Sequence, residues 1–413
     1  MFDGPTDKLQ KEWNEKGTAY ANAVNEMVNF GEQHGWENWK GTDPKDEREH
    51  LAAHVIQLLK EANDNGTVRE FRKAFPPAHI PLARHLEKRG QGIRDIHFIE
   101  GGKVVFFTGA PYEDRQAYIL DNDSLIRLDE DIYTIGKSKQ GNIFAIEREN
   151  TIVTTWGWQG DIICEFTLRE TAGITITELI PFNDGRKLLL VSTKGIFIIT
   201  ENSEERVHPV NTGNKTPDID MENATLSHNN EFIVVGDQGS DHRVLNSEGR
   251  EIGYLGPQSS YPHYCLFSKD DEQLITNSCH FYNGITIGVN TNLLNGLKIE
   301  PYTQSDKFVV IDEEMRVYAG LSTADYYILG DAYGYIRAID KQGNKLWRHY
   351  VGSTVSGIAM SDDGTTLWVG AYSGNLHKLK LSVGQDEHTI GNGNHREEFR
   401  LILWRDEPKP LFW

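Results

Sequence analysis

Residues 326–381 read YYILGDAYGYIRAIDKQGNKLWRHYVGSTVSGIAMSDDGTTLWVGAYSGNLHKLKL. Two near-copies of one pattern lie inside this stretch, ILGDAYGYIRAID at 328–340 and WVGAYSGNLHKLK at 368–380. Gly330 and Gly334 of the first copy return as Gly370 and Gly374 of the second, both displaced by 40 positions. Each copy is a short apolar run, a glycine turn and a second run, which is the chemistry of a strand pair. A repeat near forty residues built this way is the mark of a β-propeller blade.

Working outward from that repeat, the pattern predicts seven four-stranded blades between Ile93 and Arg405. They begin at Ile93, Ile132, Ile176, Ala224, His263, Arg316 and Val355. Turn clusters bound the inner runs, among them Asn183-Asp184-Gly185, Glu248-Gly249 and Ser361-Asp362-Asp363-Gly364. Blade 5 is expected to hold HYCLFSKDD, QLITNSCHF, ITIGVNTN and, as its outer strand, LKIEPYT at 297–303. Blade 7 has three strands and then a polar stretch, GQDEHTIGNGNH, so EFRLILWR at 398–405 is assigned as its fourth. Closure then borrows no strand from residues before 93.

Residues 1–90 have helical period. Leu9, Trp13, Tyr20, Val24, Met27 and Val28 fall on one face, closed by Gly31 and Gly35. Asp43-Pro44 is read as the start of a second helix and Asn65-Gly66 as its end. Pro76-Pro77 breaks the chain again before a last helix around Leu82 and Leu86 that stops at Gly90. The domains expected are a helical module over 1–90, a propeller over 91–405 and a C-terminal tail over 406–413. The helices are expected to dock on the disc or to bundle with one another, with Trp36 and Trp39 in that contact or, alternatively, on a partner surface.

The segment AIDKQGNKLW, Ala338 to Trp347, is similar to the repeat of pyrroloquinoline-quinone dehydrogenases. About 320 residues resemble the broad WD-repeat and quinoprotein-like class of seven-bladed propellers. The Gly-His and Trp-Asp marks of WD repeats are missing, so the resemblance implies the fold and carries over no cofactor site.

Composition narrows the function. Apolar residues make up 38% of the 413 and the mean hydropathy is −0.52. No run approaches a membrane span, and MFDGPTDKLQ lacks the basic and apolar parts of a signal peptide. Three cysteines, Cys164, Cys265 and Cys279, make no disulfide framework. A reducing, cytoplasmic compartment is therefore expected. Residues 1–90 carry 13 basic and 15 acidic side chains, which leaves −17 of the net −19 on the remainder. Such a field repels nucleic acid and anionic membranes and draws a basic partner.

In a blade the inner strand runs along the central channel and the second returns antiparallel. The tips after each second strand therefore share a face with the lead-ins to each inner strand. That face is expected to collect Tyr112, Glu113, Asp114, Lys194, Asp237, Gln238, Asp241, His242, Asp331, Tyr333 and Tyr372. Tyrosines supply large contact area at low entropy cost, although Asp and Tyr beside glycine also simply make turns. Blade 5 adds Tyr261 and His263 on its lead-in, and Cys279, His280 and Tyr282 on its tip. Cross-strand positions there sum to about 541, which brings His263 near Ser278 and Cys279.

Three readings of that blade 5 cluster stay open. Zinc would need His263, Cys265, Cys279 and His280 in a tetrahedron, yet Cys279 and His280 are adjacent and face opposite sides of a strand. A Cys279–His263 nucleophile pair would need a third group such as Asn277. A hydrogen-bonded network or contact patch needs neither. No metal and no cofactor are implied. Phosphate-cradling loops, nucleophile elbows and zinc-protease helices are absent from the sequence. The expected function is non-catalytic protein binding, as a scaffold or an inhibitor of a cognate basic protein such as a toxin. The alternative is an enzyme or small-ligand binder at the channel mouth near His263, Cys279 and His280.

Overall fold

The computed structural model describes residues 4–210, 218–405 and 407–413, with side chains for all of these except 4, 5 and 86–88. Among the described residues its strands form seven sheets, antiparallel except for one added strand, each running from the inside outward. The inner strands are Ile93–Ile99, Ile132–Lys137, Ile176–Pro181, Asn223–Leu226, Tyr261–Phe267, Val317–Ser322 and Val355–Met360. The chain is a seven-bladed β-propeller preceded by α-helices.

The turn between the first and second strands is fixed by one device in four blades. Ser138, Ser227, Ser268 and Ser361 each end an inner strand. Each hydroxyl accepts the backbone N–H five residues on, from Ile143, Phe232, Gln273 and Thr366, at 2.9–3.0 Å. A side-chain oxygen thereby satisfies a turn donor that the ladder leaves unpaired.

The repeat glycines mark where blades touch. A methyl on Gly330 would come within 2.4 Å of Val355 on the next blade's inner strand, and one on Gly370 within 2.4 Å of the Ile93 carbonyl. The second of these contacts closes the ring. Ile93, Ile96, Val104, Phe106 and Leu120 of blade 1 share one buried cluster with Ala359, Trp368, Leu376 and Leu401 of blade 7. Ser356 Oγ also donates to the Ile93 carbonyl at 2.6 Å. Gly370→Ala is expected to overpack this seam and cost about 1–3 kcal/mol. A urea titration would show a lower midpoint at unchanged slope; an unchanged midpoint would place the closing contact elsewhere.

Two strand assignments change. Lys298–Ile299 does not complete blade 5 but adds, parallel, to the outer strand Glu251–Leu255 of blade 4. The outer strand of blade 5 is Phe308–Asp312. Blade 7 is completed by Arg396–Ile402, and Leu411–Phe412, within the segment expected to be a tail, pairs onto it as a fifth strand.

Among the described residues four α-helices, α1 Gly4–His34, α2 Ala52–Asn65, α3 Val68–Ala74 and α4 Ala83–Arg89, precede the disc. Helix α2 starts eight residues after Pro44, because residues 43–48 form a loop in which Asp46 binds the Arg48 backbone and guanidinium. Gly66 ends α2 in the left-handed conformation (φ 69°). The buried stripe of α1 is Leu9, Trp13, Gly17, Ala21, Val24, Val28 and Gly31. Its small residues let the helix lie close to the outer edge of blades 6 and 7. Asn25 there clasps Thr389 O and Gly391 N, and Asn29 and Glu32 hold Arg348. The outer strand of blade 6, Lys345–Tyr350, is thus covered by α1 and by the 382–395 insertion of blade 7, which protects a bare edge. The start of α1 and the remaining helices build a core with blade 7 from Trp13, Val55, Leu59, Phe71, Phe75, Ile402, Leu411 and Trp413.

Candidate binding face at the channel mouth

Blade 5 carries exposed aromatic residues at a tight tip. Its second and third strands pair with His280 opposite Asn283, so Phe281-Tyr282 is a two-residue tip. Phe281 has φ +53° and leaves 70% of its surface in water; Tyr282 leaves 58%. The left-handed region costs a bulky residue about 1–2 kcal/mol, and glycine or asparagine would avoid most of it. The Phe281 ring meets His280 edge-on, centroids 4.1 Å apart, at the exposed tip and stays mostly in water.

The tip belongs to a patch. Tyr282 packs on Tyr333 of blade 6 (centroids 5.5 Å apart), whose hydroxyl donates to Asn283 Oδ1 at 3.2 Å. Arg316 Nη1 donates to the Phe281 carbonyl at 2.7 Å, and its Nη2 lies 3.9 Å from the sulfur of the exposed Met221. Tyr302, 69% exposed, hydrogen-bonds through its N–H to Pro257 on the lead-in to blade 5. Exposed carboxylates Asp220 and Glu313 precede the inner strands of blades 4 and 6, and Glu300 accepts the Tyr254 hydroxyl at the outer edge of blade 4.

His263 is the post that holds Arg316. Its Nδ1 contacts Val317 O at 2.7 Å, and its Nε2 faces Arg316 Nε and Nη2, both at 3.2 Å. A carbonyl only accepts and a guanidinium only donates. The ring is therefore neutral, with its proton on Nδ1. Burial, then the Arg316 charge, hold its pKa down at about 4.

Toward the axis the mouth is lined by Tyr318, stacked edge-on against His263 (4.8 Å) and Tyr372 (5.8 Å). Arg94 donates to the Tyr372 hydroxyl and lies 5.0 Å over its ring. Deeper in the channel, Asp95 pairs with Arg115 at 2.6 Å. Glu178 is surrounded by protein yet reached by water along the axis. Desolvation, opposed by Lys139 and aided by Asp95 and Glu222, raises it to about 7.

Of the residues expected on this face, Tyr112 (74% exposed), Gln238, His280, Tyr282 and Tyr333 present themselves to solvent. Tyr261 and Tyr372 are half-buried in the mouth. Asp237, His242 and Asp331 are buried and hold backbone or neighbours instead. Burial would raise Asp237, but His208 and the Gly239 N–H leave it lowered. His242 contacts Asn223 Oδ1 at 3.1 Å, and burial holds it down at about 3. Asp331 accepts the N–H groups of Tyr333 and Tyr335 at 2.9 and 2.8 Å, and burial raises it to about 6.

The four side chains weighed as metal ligands point to different places. Cys265 Sγ lies 3.6 Å from Asn223 Oδ1, toward blade 4. Cys279 sits beside Tyr261, and burial pushes its thiol up to about 11. His263 has both nitrogens engaged, and His280 stands at the exposed tip against Phe281. His263 falls on a bulge, so the actual pairs are Tyr261 with Cys279 and Tyr264 with Asn277. Among the described residues no group of three His, Cys, Asp or Glu gathers as a metal site would. Sequence reasoning missed Phe281, Met221, Arg94, Arg316 and Tyr318. The signal for Phe281 was the alternating runs QLITNSCH and NGITIGVN, which leave only two residues between them.

No family model matches the chain, and no curated protein does. Among solved structures it is similar to hydrazine synthase of Kuenenia stuttgartiensis, at 12% identity and a TM-score of 0.43, over 63% of this chain and 80% of that one. A likeness of that degree leaves the fold to rest on the strand pairing above. No described helix is long and apolar enough to cross a membrane.

Proposed function

We propose that the propeller is a protein-binding module without catalysis, a scaffold or an inhibitor, whose docking surface is the Phe281–Tyr282–Tyr333 patch of blades 5 and 6. The observation that carries this reading is Phe281, a bulky aromatic kept exposed in a backbone conformation that disfavours it. Strain of this kind gathers where function requires it. Exposed aromatics set in a polar rim are the usual anchors of recognition. The partner in this reading is basic: Asp220 and Glu313 are exposed on the lead-ins to the inner strands of blades 4 and 6, and the sequence beyond residue 90 carries −17. Three free, buried cysteines fit a reducing cytoplasm.

The test separates folding from binding. Phe281→Asn is expected to leave the thermal midpoint unchanged or raised, because asparagine accepts the left-handed region. Against a partner captured from native cells, Phe281→Ala and Tyr333→Ala are each expected to weaken binding about 30-fold or more, mainly through dissociation. A fall in thermal midpoint for Phe281→Asn, or unaltered affinity for both alanine variants, would defeat the reading. A second reading, small-ligand binding in the channel, is favoured by Arg94 and Arg316 converging with Tyr318 and Tyr372 at the mouth. Tyr318→Ala would impair it and spare the protein partner.

A further inference from the structure

A second constellation lies away from that face, in the seam between helices and disc. A cavity of about 80 Å³ opens there, lined by α1, the Asp46–Arg48 loop, the Pro76–Ile80 connection, the end of the outer strand of blade 6 and the blade 7 insertion. Sites between structural units are favoured places for ligands.

The side chains in it are only partly satisfied. Arg48 is 4% exposed and gives Nε and Nη2 to Asp46 at 2.9 and 2.7 Å, with its guanidinium 4.7 Å over Trp13. Among the described residues its Nη1 has no partner, and neither has Nδ1 of His388 or Nδ1 of His79. Gly17 of α1 leaves the space for two of these atoms: a methyl there would meet Arg48 Nη1 at 2.4 Å and His388 Nδ1 at 3.2 Å. The neighbouring charges are already spent. Arg400 binds Glu397 through Nε and Nη2 and the Ala78 carbonyl through Nη1. Arg72 binds the carbonyls of Trp413 and Glu397. Asp386 is exposed at the rim. Arg48 Nη1 is a buried donor without an acceptor, which is costly, and the imidazole Nδ1 atoms of His79 and His388 donate in one tautomer into the same cavity.

We propose that this cavity binds a small oxyanion, a carboxylate or a phosphate, through Arg48 Nη1 and the imidazole N–H groups of His79 and His388. The chemistry is that of charge-assisted hydrogen bonds to a planar guanidinium with neutral donors beside it. Such a ligand joins α1 and the 76–80 connection to blade 7, so occupancy fastens the helices to the disc and raises stability by mass action.

The probes are inorganic phosphate and acetate, titrated calorimetrically into the full chain at constant ionic strength, with chloride as the control. One of the two is expected to bind saturably at one equivalent with a dissociation constant below about 1 mM, and to raise the thermal midpoint in step. Phosphate alone would assign a phosphoryl ligand, and acetate alone a carboxylate. His388→Ala is expected to weaken binding about tenfold or more, as loss of one hydrogen bond to a charged group does. Gly17→Ala, which fills the space with a methyl, is expected to abolish it, with folding checked by circular dichroism. Should Gly17→Ala fail to fold, His388→Ala decides alone. Tyr282→Ala, on the other face, should bind as the parent does. Absence of heat and of any midpoint shift with both anions, or binding indifferent to His388→Ala, would overturn the proposal and assign the cavity to water.

Discussion

Replacing Trp413 by alanine is expected to destabilise the protein by about 3–5 kcal/mol. The residue is fully buried, stands 6.3 Å from Trp13 and 6.0 Å from Phe71, and donates its indole N–H to the Phe75 carbonyl at 2.7 Å. Its backbone pairs both ways with Arg400 at 2.8 Å. Truncation therefore opens a cavity and orphans a carbonyl in the core that joins helices to blade 7. The seven-strand ring of inner strands does not pass through that core. The loss should thus appear as early melting of the helical signal, with the sheet signal following at higher temperature or denaturant. Coincident melting at the parental midpoint would show that the helices take their stability from elsewhere. Deletion of residues 397–413 removes the blade 7 outer strand as well and is expected to abolish soluble folding.

The second large effect is acid lability beginning well above the carboxylate range. Burial holds His79 and His242 at about 3 and His97, His263 and His349 at about 4. In the unfolded chain each returns to about 6.5. These groups are depressed bases, so the unfolded state takes up five protons between about pH 6.5 and 4 that the folded state refuses, and stability falls as pH falls. Burial also raises Glu147 and Glu178 to about 7 and Asp331 to about 6. They act with the opposite sign, because the folded state binds their protons first. Glu178, wetted by the channel, counts for less than the other two. Five imidazoles against three carboxylates leave the unfolded state ahead by at least two protons. At about 1.4 kcal/mol per proton and pH unit, stability should drop on the order of 3 kcal/mol per unit between pH 6 and 4.5. Its maximum should lie near neutrality. Urea midpoints measured from pH 8 to 4.5 check this, and a flat profile down to pH 5 would refute it.

What could be read in the sequence, and what could not, follows from how local each cause is. Gly330 and Gly370 were legible because the neighbouring blade forbids any side chain, so spacing alone revealed the repeat. The outer strand of blade 5 was misplaced. Val309 and Val310 are 44% and 42% exposed, and residues 300–307 wander before them, whereas Ile299 looked like a strand residue but serves blade 4. On the candidate face, residue type misled. Asp237, His242 and Asp331 carry the chemistry of recognition, but their hydrogen-bond partners are buried neighbours that no local pattern discloses. Phe281 carries its information in a backbone angle. The seam cavity was beyond reach, since Gly17, Arg48, His79, His349 and His388 meet only after the ring has closed.

The clasp between Asn63 and Phe412, made through both the N–H and the carbonyl at 2.8 and 3.0 Å, spans 349 residues. On a ribosome this separation becomes a delay. The helices emerge first, and at roughly 5–20 residues per second they wait tens of seconds for Ile402 and Leu411 to appear. Throughout that interval Val55, Leu59, Phe71 and Phe75 have no disc to cover them. The nascent chain must carry an uncovered apolar surface until residues 402–413 appear, which makes it a natural client for chaperones that bind early. An interruption of translation between Lys380 and Arg396 would release a product with six blades, three strands of a seventh and a bare helical module.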